Sequence, residues 1–286
     1  MNTWRRPSGG RIDRSRPISF SFNGRRYLGY QGDTLASALV ANGVRLIGRS
    51  FKYHRPRGIF GSGAEEPNAL VQVGEGTRTV PNLKATQVEL FEGLTARTIN
   101  GWPNLHLDLY GISDKLGGLL PAGFYYKTFM WPRGWWVRYE RHIRNAAGLG
   151  RAPIDADPDH YDKRDVHCDV MVVGAGPAGL MAALSAGRSG ATVIIADEQS
   201  EFGGSLLSGT GTVSNQPLAS WLAGVVEALS AMPEVRLLPR STVTGYYDHN
   251  FLVIDERRTD HLARPDPRVS RERLWRVRAG QVVLAT

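Results

Sequence analysis

The stretch that most limits how this chain can fold runs from Cys168 to Glu198. Cys168-Asp-Val-Met-Val-Val173 is an apolar strand bounded by charge, and it leads straight into Gly174-Ala-Gly176-Pro-Ala-Gly179. Leu180, Ala183, Leu184 and Gly187 then mark a helix with a small-residue face that ends near Ser189-Gly190. A second apolar strand, Ala191-Thr-Val-Ile-Ile-Ala196, closes on Asp197-Glu198. Strand, glycine triplet, helix, strand and terminal acid form, in this order, the βαβ fingerprint of a Rossmann-like dinucleotide-binding domain. Gly174 permits the tight turn out of the strand. Gly176 lets backbone approach a pyrophosphate at the helix N-terminus, and Gly179 lets helix and strand pack closely. Asp197, 23 residues beyond Gly174, is placed to accept hydrogen bonds from an adenosine ribose. A carboxylate there repels a 2′-phosphate, which favours NAD or FAD over NADP. These residues do not choose between NAD and FAD. Gly203-Gly204 offers a second close backbone approach to the cofactor.

Upstream, residues 1–16 are basic and without apolar periodicity, and are predicted to form a loose arm. From Pro17 the pattern alternates. Ile18-Ser-Phe20-Ser-Phe22, the turn Asn23-Gly24 and an extended Arg25–Tyr30 predict a β-hairpin. An N-cap in Gln31–Thr34 starts a helix that stops at Asn42-Gly43. Ala69–Val73 is a further strand, with more to about Thr98, so residues 17–100 read as a small α+β domain. Residues 101–147 are rich in Trp, Tyr and Phe and broken by Pro103, Pro121 and Pro132. They read as an irregular cover on a neighbouring domain or as a subunit interface. The polar, aspartate-rich stretch 148–168 is predicted to be a linker, and 169–286 the dinucleotide-binding domain. In that last domain Val235–Leu238, Thr242–Tyr247, Phe251–Ile254 and Gln281–Thr286 read as strands. The final one stops inside the pattern, so the domain reads as incomplete and the chain as part of a longer protein.

Several function classes are excluded by composition. The single cysteine among 286 residues, Cys168, forbids an intrachain disulfide, a redox cysteine pair and a cysteine-ligated iron–sulfur site. The net charge of +8 gathers in the first 57 residues, yet no nucleic-acid-binding motif accompanies it. Those arginines are better read as an arm that pairs with carboxylates on a partner surface. No run reaches membrane-spanning length, and Arg5-Arg6 is not followed by an apolar export segment. The expected location is cytoplasmic, with no nucleic-acid partner. His54, His106, His142 and His167 are isolated in sequence and read as surface or packing residues. No metal site and no catalytic acid–base pair stand out.

Three narrower stretches carry a resemblance: Gly32-Asp-Thr-Leu-Ala-Ser-Ala-Leu-Val-Ala-Asn-Gly43, Arg49-Ser-Phe-Lys-Tyr-His-Arg-Pro-Arg-Gly58 and Phe124-Tyr-Tyr-Lys-Thr-Phe-Met-Trp-Pro132. With the glycine turn, they make the chain resemble the α subunit of heterotetrameric sarcosine oxidase from about Pro17 to Thr286. The resemblance implies a β-grasp, ferredoxin-like first domain. Relatives in other amine-oxidising complexes carry cluster cysteines in the loop after Arg-Pro-Arg-Gly; here Ile59 to Asn68 has none. It further implies NAD on this chain, and FAD and covalent FMN with the β subunit, the FMN near the α–β interface. The β subunit would also handle the small amine substrate, and γ and δ subunits would complete the complex. Sarcosine would be oxidised to glycine with formation of hydrogen peroxide, and a tetrahydrofolate-binding half of α, beyond this chain, would take the one-carbon unit. Carried over residue by residue, the implied NAD contacts are Ala178 in the glycine turn, then Asp197, Glu198 and Gln199, then Ser205 and Val243. Ser205 stands where the family often has Thr, and Gln199 where it often has Arg. Two other readings stand beside this one: an FAD- and NAD(P)H-dependent oxidoreductase of another amine-oxidising complex, and a non-catalytic cofactor-binding scaffold.

Overall fold

A computed structural model of the chain describes residues 4–115, 117, 123 and 131–286. The chain divides into two compact units, Met1–Pro158 and Asp159–Thr286.

In the first unit, β1 (Asp13–Phe22) and β2 (Arg25–Gln31) form the expected hairpin. Its turn residues Asn23 and Gly24 both take positive φ, as a two-residue hairpin requires. Helix α1 (Leu35–Ala41) starts with a capping box. Ser37 N donates to Thr34 Oγ1 at 3.2 Å, and Thr34 N donates to Ser37 Oγ at 3.0 Å. Strands β3 (Gly48–Arg49), β4 (Pro56–Arg57), β5 (Leu70–Val73), β6 (Val80–Lys84) and β7 (Thr95–Thr98) follow. The main sheet runs β2-β1-β7-β5-β6 with β1 and β7 parallel. Leu35, Ala38 and Leu39 of α1 pack on Ile18, Phe20, Phe22, Val71 and Leu94, the β-grasp arrangement that the resemblance implies. Among the described residues a short α2 (Ile112–Lys115) and α3 (Trp136–Ala147) follow; α3 ends at Gly148 in the left-handed region.

One expectation for this unit changes. The basic arm is tied down rather than loose. Arg5 donates to both carboxylate oxygens of buried Asp33, at 3.0 and 2.7 Å, Trp4 N donates to the Ala41 carbonyl at 3.0 Å, and β1 already begins at Asp13. A buried carboxylate needs a cation, and the bidentate pair supplies one from within the chain. Arg5 is therefore an internal counter-ion. In the aromatic segment, Pro121 and the stretch 124–130 lie outside the described residues.

The second unit contains β8 (Tyr161–Val173), α4 (Pro177–Arg188), β9 (Val193–Ala196), β10 (Thr212–Val213), β11 (Gln216–Pro217), α5 (Leu218–Ser230), β12 (Val235–Leu238), β13 (Ser241–Tyr247), β14 (Phe251–Arg257) and β15 (Glu272–Leu284). Its six-stranded sheet runs β12-β9-β8-β15-β14-β13. The first four strands are parallel, and β15, β14 and β13 form an antiparallel meander. Alternate residues of the parallel strands bury opposite faces. Val172 and Ile195 pack under Leu180, Leu184, Leu222 and Leu229 of the two helices. Met171 and Ile194 pack against Leu252, Ile254, Trp275 and Val277 of the meander. Both faces of β8 and β9 are buried at these positions.

The linker expectation also needs revision. Strand β8 begins at Tyr161, so the second half of 148–168 is sheet, and β15 begins at Glu272 rather than near Gln281. Both extensions are charge-rich because they pair with each other. Asp162 accepts two bonds from its register partner Arg273, both 2.8 Å, and Asp165 accepts one from its register partner Arg276 at 2.7 Å. Aspartates that look like linker from one strand are half of an ion-pair ladder whose arginines lie far along the chain. Among the described residues no helix is long and apolar enough to cross a membrane.

Candidate dinucleotide site

The glycine turn is set by adjacent parallel strand ends. Val173 and Ala196 are register partners, and Gly174 N donates to the Ala196 carbonyl at 2.8 Å. Gly174 has φ +95, and a Cβ there would stand 2.6 Å from the Ala285 carbonyl oxygen. A Cβ on Gly179 would collide with the carbonyl oxygen of Gly174, so helix α4 can lie this close only with glycine. Gly176 is different: nothing lies within 4 Å of its Cβ position. It is the N-cap of α4, Pro177 follows at the first helical position, and no side chain caps the helix. The first turn of α4, with Ala178 and Gly179, thus has no side-chain cap and starts beside open space at Gly176, the arrangement a pyrophosphate uses.

Asp197 has a role the sequence did not reveal. Its Oδ2 accepts the Ala175 N–H at 2.6 Å and its Oδ1 accepts the Gln199 N–H at 2.9 Å. The carboxylate is a strut between the glycine turn and the loop after β9. Its backbone is fixed as well, by Asp197 N to Leu238 O at 3.0 Å and Ser241 N to Asp197 O at 2.7 Å. Glu198 follows, half-buried, and its carbonyl accepts from Arg257 at 3.0 Å; Gln199 is exposed. Gly203 N donates to the Ala175 carbonyl at 2.8 Å, and the Cβ position of Gly204, at φ +50, is 3.1 Å from Gly176 Cα. The paired glycines therefore close against the turn, with Ser205 exposed just after them. Val243 sits on β13 opposite Ile254, two residues past the Ser241 N–H that holds Asp197. Buried Ala175, which both donates to Asp197 and accepts from Gly203, was missed; an alanine inside the triplet carries no signal of that use.

The remaining sequence candidates lie elsewhere. Burial, with Asp169 beside it, pushes the Cys168 thiol up to about 11, so it is no nucleophile near neutral pH. His54 is buried, its Nδ1 2.6 Å from Asp108 Oδ2 and its Nε2 2.6 Å from the Ala146 carbonyl. Arg49 donates to the Leu105 carbonyl at 2.7 and 3.0 Å and to the His54 carbonyl at 3.2 Å. The Arg49–Gly58 stretch is thus a clamp on the segment after β7. Among the described residues no three His, Cys, Asp or Glu side chains form a group able to hold a metal ion.

Two families match parts of the chain. Residues 15–101 match the 2Fe-2S iron-sulfur cluster binding domain, and residues 169–264 match FAD dependent oxidoreductase. The L-proline dehydrogenase of P. horikoshii shares the fold, with a TM-score of 0.59 at 18% identity over 96% of this chain and 41% of that one. The fold is therefore a ferredoxin-like first domain followed by a Rossmann-like domain of the FAD dependent oxidoreductase type. Over its whole length the chain is similar to sarcosine oxidase subunit alpha, as the sequence stretches implied. It is 53% identical to that of Rhizobium meliloti over 100% of this chain and 29% of the relative, and 39% identical to that of Corynebacterium sp. strain U-96 over 98% and 25%. The chain therefore spans between a quarter and a third of the length of these relatives.

Proposed function

We propose that this chain is the dinucleotide-holding portion of a sarcosine oxidase α subunit and that the nucleotide it holds is NAD. The observation that carries the reading is the uncapped N-terminus of α4 facing the open side of Gly176, with Asp197 shaping the turn. Ala178 and Gly179 N–H groups would hold the pyrophosphate, and the carboxylates of Asp197 and Glu198 would face the adenosine ribose and repel a 2′-phosphate. Gln199, Ser205 and Val243 would border the remainder. In the complex the substrate is a small N-methylated amine handled by a β subunit that carries FAD and FMN, with γ and δ subunits completing it. Its products are glycine, hydrogen peroxide and a one-carbon unit passed to tetrahydrofolate.

A second reading, FAD on this chain, is favoured by the family match over residues 169–264. One experiment separates the two. Nucleotide released from the purified chain by heat is identified by mass spectrometry, and any empty fraction is titrated calorimetrically with NAD and with FAD. NAD without flavin is the expected result. Stoichiometric FAD would replace the first reading with the second, and no affinity for either would remove both.

A further inference from the structure

The first unit matches a cluster-binding domain but has no residue able to ligate the cluster through sulfur: the chain's one cysteine, Cys168, lies outside residues 15–101. The loop between β4 and β5 shows what occupies the place instead. Glu66 in that loop has 0% exposure. One carboxylate oxygen accepts the N–H groups of Phe60 at 2.6 Å and Gly61 at 2.5 Å. The other accepts those of Asn68 at 2.7 Å and Ala69 at 3.2 Å. Four backbone donors from both limbs of the loop converge on one buried anion.

The spacing of these residues is informative. Plant-type 2Fe–2S domains hold the cluster with a Cys-x4-Cys-x2-Cys loop and a fourth, distant cysteine, and backbone hydrogen bonds to the cluster sulfurs tune it. Gly61, Glu66 and Ala69 stand at that x4, x2 spacing. The N–H groups of the outer two positions are two of the four that reach the carboxylate of the middle one. Thr86, buried and beyond β6, reaches into the same loop by donating from its hydroxyl to the Gly63 carbonyl at 2.8 Å. Lys84 Nζ donates to the neighbouring Ala64 carbonyl.

We propose that this is a cluster site converted to a metal-free one, in which the Glu66 carboxylate takes over from the cluster the task of gathering the loop's N–H groups. Gly61, Glu66, Ala69 and Thr86 hold the four former ligand positions. The loop then folds without iron, and the unit carries no electrons. Burial by itself would push the Glu66 carboxyl up, but the donors of Gly61, Asn68, Phe60 and Ala69 more than offset it and hold it below the usual 4.5. Loop order should therefore persist at neutral pH and fail only as pH falls through that depressed value.

Amide hydrogen exchange on the full chain tests this. In the wild type, Phe60, Gly61, Asn68 and Ala69 should be protected and should lose protection together in acid, in step with the Glu66 carboxyl carbon signal. In Glu66→Gln, which keeps the shape and removes the charge, their protection factors should fall about tenfold or more while those of the β1–β2 hairpin hold. Protection of the four amides that ignores Glu66 protonation in the wild type would overturn the proposal whether or not the variant folds. Reconstitution with iron and sulfide provides the second measurement. Wild type should gain no 2Fe–2S spectrum, and a folded Gly61→Cys, Glu66→Cys, Ala69→Cys, Thr86→Cys chain should gain one. A cluster on the wild type, or none on the folded four-cysteine chain, would refute the mapping.

Discussion

Two loops in this molecule are each shaped by a single carboxylate, and they end in opposite states. In the second unit Asp197 takes two N–H groups, from Ala175 and Gln199, and the first turn of α4 is left without a side-chain cap beside the open position of Gly176. In the first unit Glu66 takes four N–H groups and is sealed from solvent. The difference teaches how an anion can serve a loop in two ways. A carboxylate set beside a turn orients it and leaves the remaining donors for a second anion, such as a pyrophosphate. A carboxylate set inside a loop satisfies all its donors and leaves nothing to bind.

The sharpest way to break this contrast is to remove the sealed carboxylate. Glu66→Leu leaves four N–H groups, three part-buried and one buried, without their acceptor, each costing on the order of 1 kcal/mol, and should destabilise the first unit by about 4 kcal/mol. Denaturant unfolding followed by the tryptophans should show that loss; a change below about 1 kcal/mol would mean the loop does not depend on the anion. On the open loop, Gly179→Val drives a side chain into the Gly174 carbonyl and should cost about 3 kcal/mol, with dinucleotide binding lost by calorimetry. Asp197→Ala is gentler. It releases the Ala175 and Gln199 donors and should weaken dinucleotide binding by about 2 kcal/mol, roughly thirtyfold. Unchanged affinity would show that the turn holds its shape without the strut.

The smallest effect belongs to a carboxylate that does neither job. Asp162 is paired to Arg273 across β8 and β15, and the hydrogen bond from that guanidinium, against some desolvation, holds its carboxyl down at about 2. Its contribution is complete above the unfolded value of 3.8 and is lost as pH falls through about 2. Because a third of this side chain is exposed, solvent screening keeps the effect to a fraction of a kcal/mol. Asp162→Asn should flatten the acid limb of the second unit's stability curve between those values while leaving neutral stability nearly unchanged.

Much of this was legible in the chain itself wherever the partners are close in sequence. The hairpin at Asn23-Gly24, the N-cap within Gln31–Thr34, and the strand–glycine–helix–strand run from Cys168 to Asp197 are local patterns, and the structure follows them. The spacing Gly61-x4-Glu66-x2-Ala69 was also present, but without cysteines it carried no signal until the carboxylate was seen among its donors. Where charge was read without its partner, the reading failed. Arg5 looked like a surface arm until Asp33 was found beneath it, and the aspartates before Val166 looked like linker until Arg273 and Arg276 came alongside.

What the sequence by itself determined is the β1–β2 hairpin, helix α1 and the strand–helix–strand run with the kind of turn between β8 and α4, because backbone conformation and period-two or helical burial are imposed by neighbours along the chain. What only the tertiary structure decided is the use of each carboxylate: Asp33 as an anchor for the arm, Asp197 as a strut, Glu66 as a closed loop's anion. An ionised oxygen is satisfied by whichever donors folding brings within about 3 Å, and those donors can lie anywhere in the chain.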